Sequence, residues 1–521
     1  MVGQLSILPV NQIDSDRKTF LMAACEQGST SLIAFLIESG ANMDMSDKEG
    51  LTALHYAVIS RKIDAVASLV SRGANVNKQD SDGDTPLHLA VGNNYEDVVK
   101  VLLSSKGNNT LQVTQRNNKG WTPLHLASYY GHTDTAKLLL QQDGTDVRVV
   151  DNDGCTPLHL ASNQGHTDTA KLLLQQDGTD VRVVDNAGWT PLHHASYYGH
   201  TDTAKLLLQQ DGTDVRVVTN AGWTPLHHAS YYGHTDTAKL LLQQDGTDVR
   251  VVTNDGWTPL HLACQNGHTD TAKLLLQQNG TDVRVVTKYG WTPLHLASYN
   301  GHTDTAKLLL QQDGTDVRVV TKYGWTPLHL ASYNGHTDTA KLLLQQNGTD
   351  VRVVANDGWT PLHLASSQGH TDTAKLLLQQ NGIDANKADN DGDTPLHRAV
   401  QKCRWCQEKK ATVTLHPCQH TVTCQNCCSQ MTFKQCPICR QHILRKSGFG
   451  RELGIKQHDL DIIKLDHSHS VREQSFQMLL TWFQSCDPAK RTLQILKEAL
   501  ERTECFIAIE CLSSEFNRIS L

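Results

Sequence analysis

Residues 121–154 read WTPLHLASYYGHTDTAKLLLQQDGTDVRVVDNDG, and this stretch decides the fold of most of the chain. Thr122 has a side chain suited to cap a helix, and Pro123 follows at the first helical position, where a missing N–H costs nothing. A first helix is expected to run to about Tyr130, where Gly131 supplies a left-handed turn. Thr133 or Asp134 is expected to cap a second helix carrying Ala136, Leu138, Leu139 and Leu140, which Gly144 ends. Thr145 to Gly154 then reads as an extended stretch with Val147, Val149 and Val150, closing in a tight Asp-Asn-Asp-Gly turn. Two short antiparallel helices and a projecting finger make one unit, and neither helix buries its apolar stripe alone.

The unit recurs. Thr-Pro-Leu follows Trp121, Cys155, Trp189, Trp223, Trp257, Trp291, Trp325, Trp359 and Asp393 at intervals of 34 residues. Asp84 and Leu51 hold the same place further upstream at slightly different spacings, and Lys18 to Gly50 reads as a worn first copy. Eleven repeats and a final half are counted over 18–401, after a lead-in at 1–17. Stacked neighbours supply the core of such an array, and helix pairs about 10 Å apart extend it to roughly 100 Å. Thr-Pro-Leu-His, Gly-His-Thr-Asp and the Leu triplet resemble the ankyrin repeat family. Each copy carries one residue more than that family's usual repeat, near Gln141 to Gly144, where the end of the second helix is expected to change.

The copies differ at two places. One is the fingertip, as in Asp151-Asn152-Asp153, Thr219-Asn220-Ala221 and Thr287-Lys288-Tyr289; the other is the end of the first helix. By the ankyrin resemblance both line the concave face, so Tyr129, Tyr130, Asn163, Gln164, Gln265, Asn266, Tyr299 and Asn300 are candidate contacts for a protein partner. Variation at positions that pack against nothing accounts for the same pattern. His125 and its equivalents read as structural, each bonding to the next finger, and the Trp column reads as packing.

A formal net charge of -7 offers no basic field for a polyanion, which argues against nucleic acid as partner. The opening segment, Met1 to Lys18, lacks a continuous apolar stretch, and none of about 20 residues occurs elsewhere. The expectation is a soluble, cytoplasmic protein that does not insert in a membrane.

Cysteine crowds one segment: Cys403-x2-Cys406, Cys418-x-His420, Cys424-x2-Cys427 and Cys436-Pro437-Ile438-Cys439, with Cys428 surplus and His416 an alternative imidazole. Seven thiolates and one imidazole are enough for two tetrahedral zinc ions. A Cys-x2-Cys hook supplies only half an ion's ligands, and so short a segment depends on metal for its folding. The spacing over 403–440 resembles the RING finger family, and Leu415 to Arg440 most resembles the RING fingers that end inhibitor-of-apoptosis proteins and mind bomb. By that resemblance Cys403, Cys406, Cys424 and Cys427 hold one zinc, and Cys418, His420, Cys436 and Cys439 the other. It also implies ubiquitin transfer by positioning, without a covalent intermediate and without a catalytic nucleophile. Trp405, Pro437 and Ile438 would contact a ubiquitin-conjugating enzyme, and Arg440 would bridge the two partners.

From Phe449 the pattern is short and amphipathic, with Phe476, Leu479, Leu480 and Phe483 on one stripe. Leu453-Gly454, Arg472-Glu473-Gln474, Met478-Leu479 and Trp482 resemble the death domain, a helical module that associates with its own kind. It is placed at 441–515, with a tail at 516–521. The expected fold is mainly α: an ankyrin-repeat solenoid, a small zinc-binding RING finger and a short death-like helical bundle. The expected function is that of a RING-type E3 ubiquitin ligase whose array selects a protein substrate. The alternative is a non-catalytic adaptor whose death-like tail and array join two signalling proteins while a structural zinc module serves as a dimeriser; a death-domain protein or self-association is the partner expected of the tail.

Overall fold

The computed structural model describes residues 10–105 and 110–401. In the copy that begins at Trp121, the Thr122 hydroxyl accepts the backbone N–H of His125 (3.4 Å) and the His125 Nδ1 accepts the backbone N–H of Thr122 (3.1 Å). This reciprocal box starts the helix Pro123–Tyr130, and Gly131 ends it at φ 72°. A Cβ at Gly131 would collide with the imidazole of His166 in the next copy, so the turn needs glycine for conformation and for space. The second helix, Thr133–Leu140, starts without a side-chain cap, and His132 holds the N-cap position. The Thr133 hydroxyl pairs instead with that of Thr169 in the next copy (2.7 Å), which is why the expected cap is missing.

Twenty-three helices occupy the described residues, in eleven consecutive pairs from Phe20–Gln27 with Thr30–Glu38 to Pro361–Gln368 with Thr371–Leu378; Pro395–Gln401 follows alone. The described part of the chain is therefore mainly α. Its β pairing is a single isolated bridge between Ile13 and Thr19. The packing divides into two units, one of residues 10–331 with 338–350, the other of 332–337 with 351–401. Within the first, each first helix packs on the first helices of its neighbours, and each second helix on the second helices. Ala127, Ala136 and Leu139 and their equivalents form the core; burying each leucine side chain contributes roughly 2 kcal/mol.

The additional residue per copy lies in the turn after the second helix. In the shorter copy that begins at Leu51, the carbonyl of Leu69 accepts the backbone N–H of Ala74 (3.1 Å). In the longer copies the equivalent Leu139 carbonyl accepts the Thr145 hydroxyl (2.7 Å), so a side chain replaces the displaced backbone donor. The stretch beyond is not one extended run, because Asp146 accepts the backbone N–H of Arg148 (2.9 Å) and bends it first. The fingertip closes with Asp151 N–H donating to Cys155 O (2.9 Å) and Gly154 N–H to Asp151 O (3.2 Å).

Fingers are joined to one another by asparagines: the side-chain amides of Asn152, Asn186, Asn220 and Asn254 each donate to the carbonyl of the residue one copy earlier. In the second unit, Arg398 binds Asp389 and Asp391 (both 2.6 Å) and lies over the ring of Trp359. Burial raises the pKa of Asp389, but the bond and charge of Arg398 and the backbone N–H groups of Asp393 and Asp391 together outweigh this and hold the carboxyl below its usual range.

One column of the core is poorly matched. The hydroxyls of Ser128, Ser162, Ser196, Ser230 and Ser298 are buried without a hydrogen-bond partner among the described residues, and Cys264 fills the same place in another copy. A buried hydroxyl with no partner costs roughly 1 kcal/mol or more. Ser196→Ala is therefore expected to raise stability by about 1 kcal/mol, read as a higher denaturation midpoint; a lower midpoint would show that the hydroxyl is satisfied.

The buried imidazoles make the array sensitive to acid. Burial lowers His55, His125, His159, His193, His227, His261 and His295 to about 4, against about 6.5 when unfolded. Between these values the unfolded chain binds protons that the folded chain refuses. Stability is thus fully present above pH ~6.5 and is lost as pH falls toward ~4, by on the order of 1 kcal/mol per histidine one unit below the unfolded value. The urea midpoint, followed by helical circular dichroism, should fall steeply from about pH 7 to about pH 5; a flat profile would contradict neutral burial.

Candidate functional site

Where two consecutive copies both end their first helix in Tyr-Tyr, their rings join. Trp189 lies 5.2 Å from Tyr197 and 4.3 Å from His228, centroid to centroid, and Tyr197 lies 4.4 Å from Tyr232. The Tyr232 hydroxyl donates to that of Tyr197 (2.6 Å). Burial, and then this bond, raise the pKa of Tyr232 above the ordinary phenol value. Trp223 extends the strip through His228 (4.9 Å) and Tyr231 (5.6 Å). The buried sides of these rings pack against the repeats, while Tyr198 (49% exposed) and Tyr232 (38%) also face outward. Rigid rings carrying polar hydroxyls suit protein recognition, since they lose little conformational freedom on binding.

The expected contact residues divide by environment. Tyr129 is half-buried between Trp121 and Tyr130 (5.0 Å to each), and Tyr130 is 49% exposed, stacked on His132. Asn163 bonds to His194 Nδ1 (3.2 Å), and Gln164 donates to Asn163. Tyr299 is exposed and Gln265 half-buried. Asn266 and Asn300 cap their own helices, donating to the carbonyls of Leu262 and Leu296 (both 3.1 Å), so their amides are engaged within the repeat.

At the fingertips only the last two positions face outward. Asp151, Thr219 and Thr287 are buried and hold the turn, whereas Tyr289 and Tyr323 are 52% and 59% exposed. The sequence reading did not single out Tyr197, Tyr198, Tyr231 and Tyr232, although their Tyr-Tyr-Gly-His matches that of Tyr129 and Tyr130.

The histidines and tryptophans serve the stack. His125 Nε2 meets the carbonyl of Cys155 in the next finger (3.1 Å), while His166 Nε2 meets that of Tyr129 in the preceding copy (3.0 Å). Trp121 is half-buried and donates its indole N–H to Asp151 (2.9 Å).

The family model for ankyrin repeats matches in overlapping segments from residue 2 to residue 411. The chain is an ankyrin-repeat protein. Beyond the array, the model for the C3HC4-type RING zinc finger matches 399–446, and that for the death domain matches 447–514. A search of curated proteins returned no match. This ankyrin-repeat protein thus carries three interaction modules in order.

The expected zinc ligands Cys403, Cys406, Cys418, His420, Cys424, Cys427, Cys436 and Cys439 fall inside the RING match and lie outside the described residues, as do Trp405, Pro437, Ile438 and Arg440. Their donor set of thiolates and one imidazole suits zinc. The expected tail helices also lie outside the described residues. Among the described residues no helix is long and apolar enough to cross a membrane.

Replacing Tyr130 and Tyr198 together by alanine removes exposed rings and leaves the Tyr197 to Tyr232 junction in place. The thermal midpoint should hardly move, while retention of the array's protein partner on the immobilised chain should fall at least about tenfold, roughly 1.4 kcal/mol. Unchanged retention would put the partner on another surface.

Proposed function

We propose that this ankyrin-repeat protein is a RING-type E3 ubiquitin ligase. Its array selects a protein substrate, and its zinc module positions a ubiquitin-charged conjugating enzyme. The observation that carries this reading is the RING match at 399–446 over a segment holding seven cysteines and a histidine at RING spacing. Two zinc ions are proposed, one on Cys403, Cys406, Cys424 and Cys427, the other on Cys418, His420, Cys436 and Cys439. Zinc here folds the segment and takes no part in the transfer.

Trp405, Pro437 and Ile438 would form the apolar contact with the conjugating enzyme. Arg440, with five donors in a fixed fork, would restrain the thioester-linked ubiquitin. The gain comes from orientation: a tethered thioester held ready for attack needs no further functional group. We place the domains at 18–401, 403–440 and 441–515, and the protein in the cytoplasm. The free, buried thiols of Cys25, Cys155 and Cys264 suit a reducing compartment.

The death-domain match at 447–514 favours a second reading. An adaptor would join a death-domain partner to the array's partner and use the zinc module for contact alone. Ubiquitin discharge from a panel of charged conjugating enzymes separates the two. Full-length protein is expected to accelerate discharge, Ile438→Ala to reduce the acceleration at least about tenfold with zinc retained, and Cys403→Ser to abolish it. No acceleration by fully zinc-loaded protein would leave the adaptor.

A further inference from the structure

One junction of the array differs from the rest in side-chain chemistry. Cys155 stands where seven copies have tryptophan, and His194 stands where Leu126, Leu160, Leu262, Leu296, Leu330 and Leu364 stand in other copies. Asp185 closes the finger between them, at the place held by Thr219, Thr253, Thr287 and Thr321 in later copies. The fold brings these three residues together. His194 Nε2 is 3.1 Å from Asp185 Oδ2, Cys155 Sγ is 3.9 Å from the same oxygen, and the three ligand atoms all lie within 4.8 Å of one another. We propose that Cys155, Asp185 and His194 form a zinc site at this junction, separate from the RING segment.

The donor set and its spacing fit. Zinc takes sulfur at ~2.3 Å and nitrogen or oxygen at ~2.0–2.2 Å, so tetrahedral neighbours lie roughly 3.3–3.6 Å apart. The Asp185 to His194 and Cys155 to Asp185 separations come within about 0.4 Å of that range, and side-chain rotation draws in the third, which lies within 4.8 Å. Water takes the fourth position.

The surroundings also suit a ligand set. The Cys155 thiol is buried, and burial with the carboxylates of Asp151, Asp185 and Asp153 pushes its pKa up to about 12. A cation among those carboxylates reverses that preference: the thiol loses its proton to solvent and ligates as thiolate. On the far side of the ring, His194 Nδ1 faces the amide of Asn163 (3.2 Å). With Nε2 on the metal, Nδ1 carries the proton. The Asn163 amide, turned over, presents its oxygen to that N–H and orients the ring. Gln164, which is exposed, turns with it.

The array supplies its own controls. In the copy before, Trp121 satisfies Asp151 with its indole N–H (2.9 Å), and Leu160 stands at the histidine position. In the copy after, His228 occupies the equivalent position, but the flanking residues are Trp189 and Thr219. Both ring nitrogens of His228 are then buried without a partner among the described residues. Among the described residues, only where cysteine, aspartate and histidine coincide does a set of three donors form. His159, which lies edge-on to His194 (5.7 Å), is committed to Thr156 and to the carbonyl of Trp189 and adds no ligand.

The test is the metal content of full-length protein loaded with zinc chloride and freed of excess by desalting. Each variant is chosen to preserve the fold. His194→Leu installs the leucine of other copies. Asp185→Asn installs the residue that closes the finger at Asn117, and Cys155→Ser is nearly isosteric. Each is expected to carry one zinc ion fewer per chain than the wild type, because the RING complement is the same in all.

Cys264→Ser, which changes a buried thiol outside the cluster, should match the wild type. With cobalt in place of zinc, the wild-type minus Cys155→Ser difference spectrum should show a thiolate-to-cobalt charge-transfer band and the visible bands of a tetrahedral ion. Equal zinc content in the wild type and in three variants with unchanged far-ultraviolet circular dichroism overturns the proposal. A failure of ubiquitin discharge leaves it untouched.

Discussion

The array depends on one buried, neutral imidazole in each copy after the first, where Met22 holds the same place. In the copy that begins at Trp121, a backbone N–H donates to Nδ1 of His125, so the proton must sit on Nε2, which then donates to the next finger. A single ring therefore starts its own helix and binds the neighbouring repeat, with its tautomer fixed by the helix it starts. Three further links act beside it: the backward bond of the second histidine, the threonine hydroxyl pairs and the asparagine ladder. Removing the imidazole would take the acceptor from the Thr122 N–H and one of two donors from the Cys155 carbonyl in the same step, which is more costly than losing either bond alone.

Much of this was legible because it is local. Thr-Pro-Leu-His specifies the box within four residues, the glycine after the first helix specifies its turn, and the 34-residue interval shows that stacking supplies the core. The forward bond of the histidine was legible too, since an imidazole on the first helical turn faces the next finger. The cap of the second helix was misread because Thr133 had a better partner in another copy. The amides of Asn266 and Asn300, which sequence offers as contacts, each fold back on their own helix. Such competition between hydrogen-bond partners is not resolved by spacing alone.

The aromatic strip and the Cys155, Asp185 and His194 cluster were not legible for a different reason. Each joins side chains as many as 39 residues apart that the sequence presents as unrelated departures from a consensus. Spacing nevertheless sufficed for the RING segment. Ligand pairs carry their meaning in intervals of one or two residues, and the family match over 399–446 agrees with them. Stacked leucines and alanines stabilise the array, whereas a RING finger normally depends on zinc for its fold. Chelation and acid are accordingly expected to disable different parts of the same molecule.

Near-identity of the copies raises the question of register. A repeat whose interfaces are interchangeable gains almost the same free energy against any other copy, including one from a second chain, so energy alone barely distinguishes correct from slipped stacking. Chain connectivity favours the adjacent copy through the small entropy of closing a short loop. The junction of Cys155 with His194 adds a second constraint, because a thiol in place of an indole faces an imidazole in place of an isobutyl group in only one alignment. It marks a single position along an otherwise periodic core and so fixes one phase of the stack.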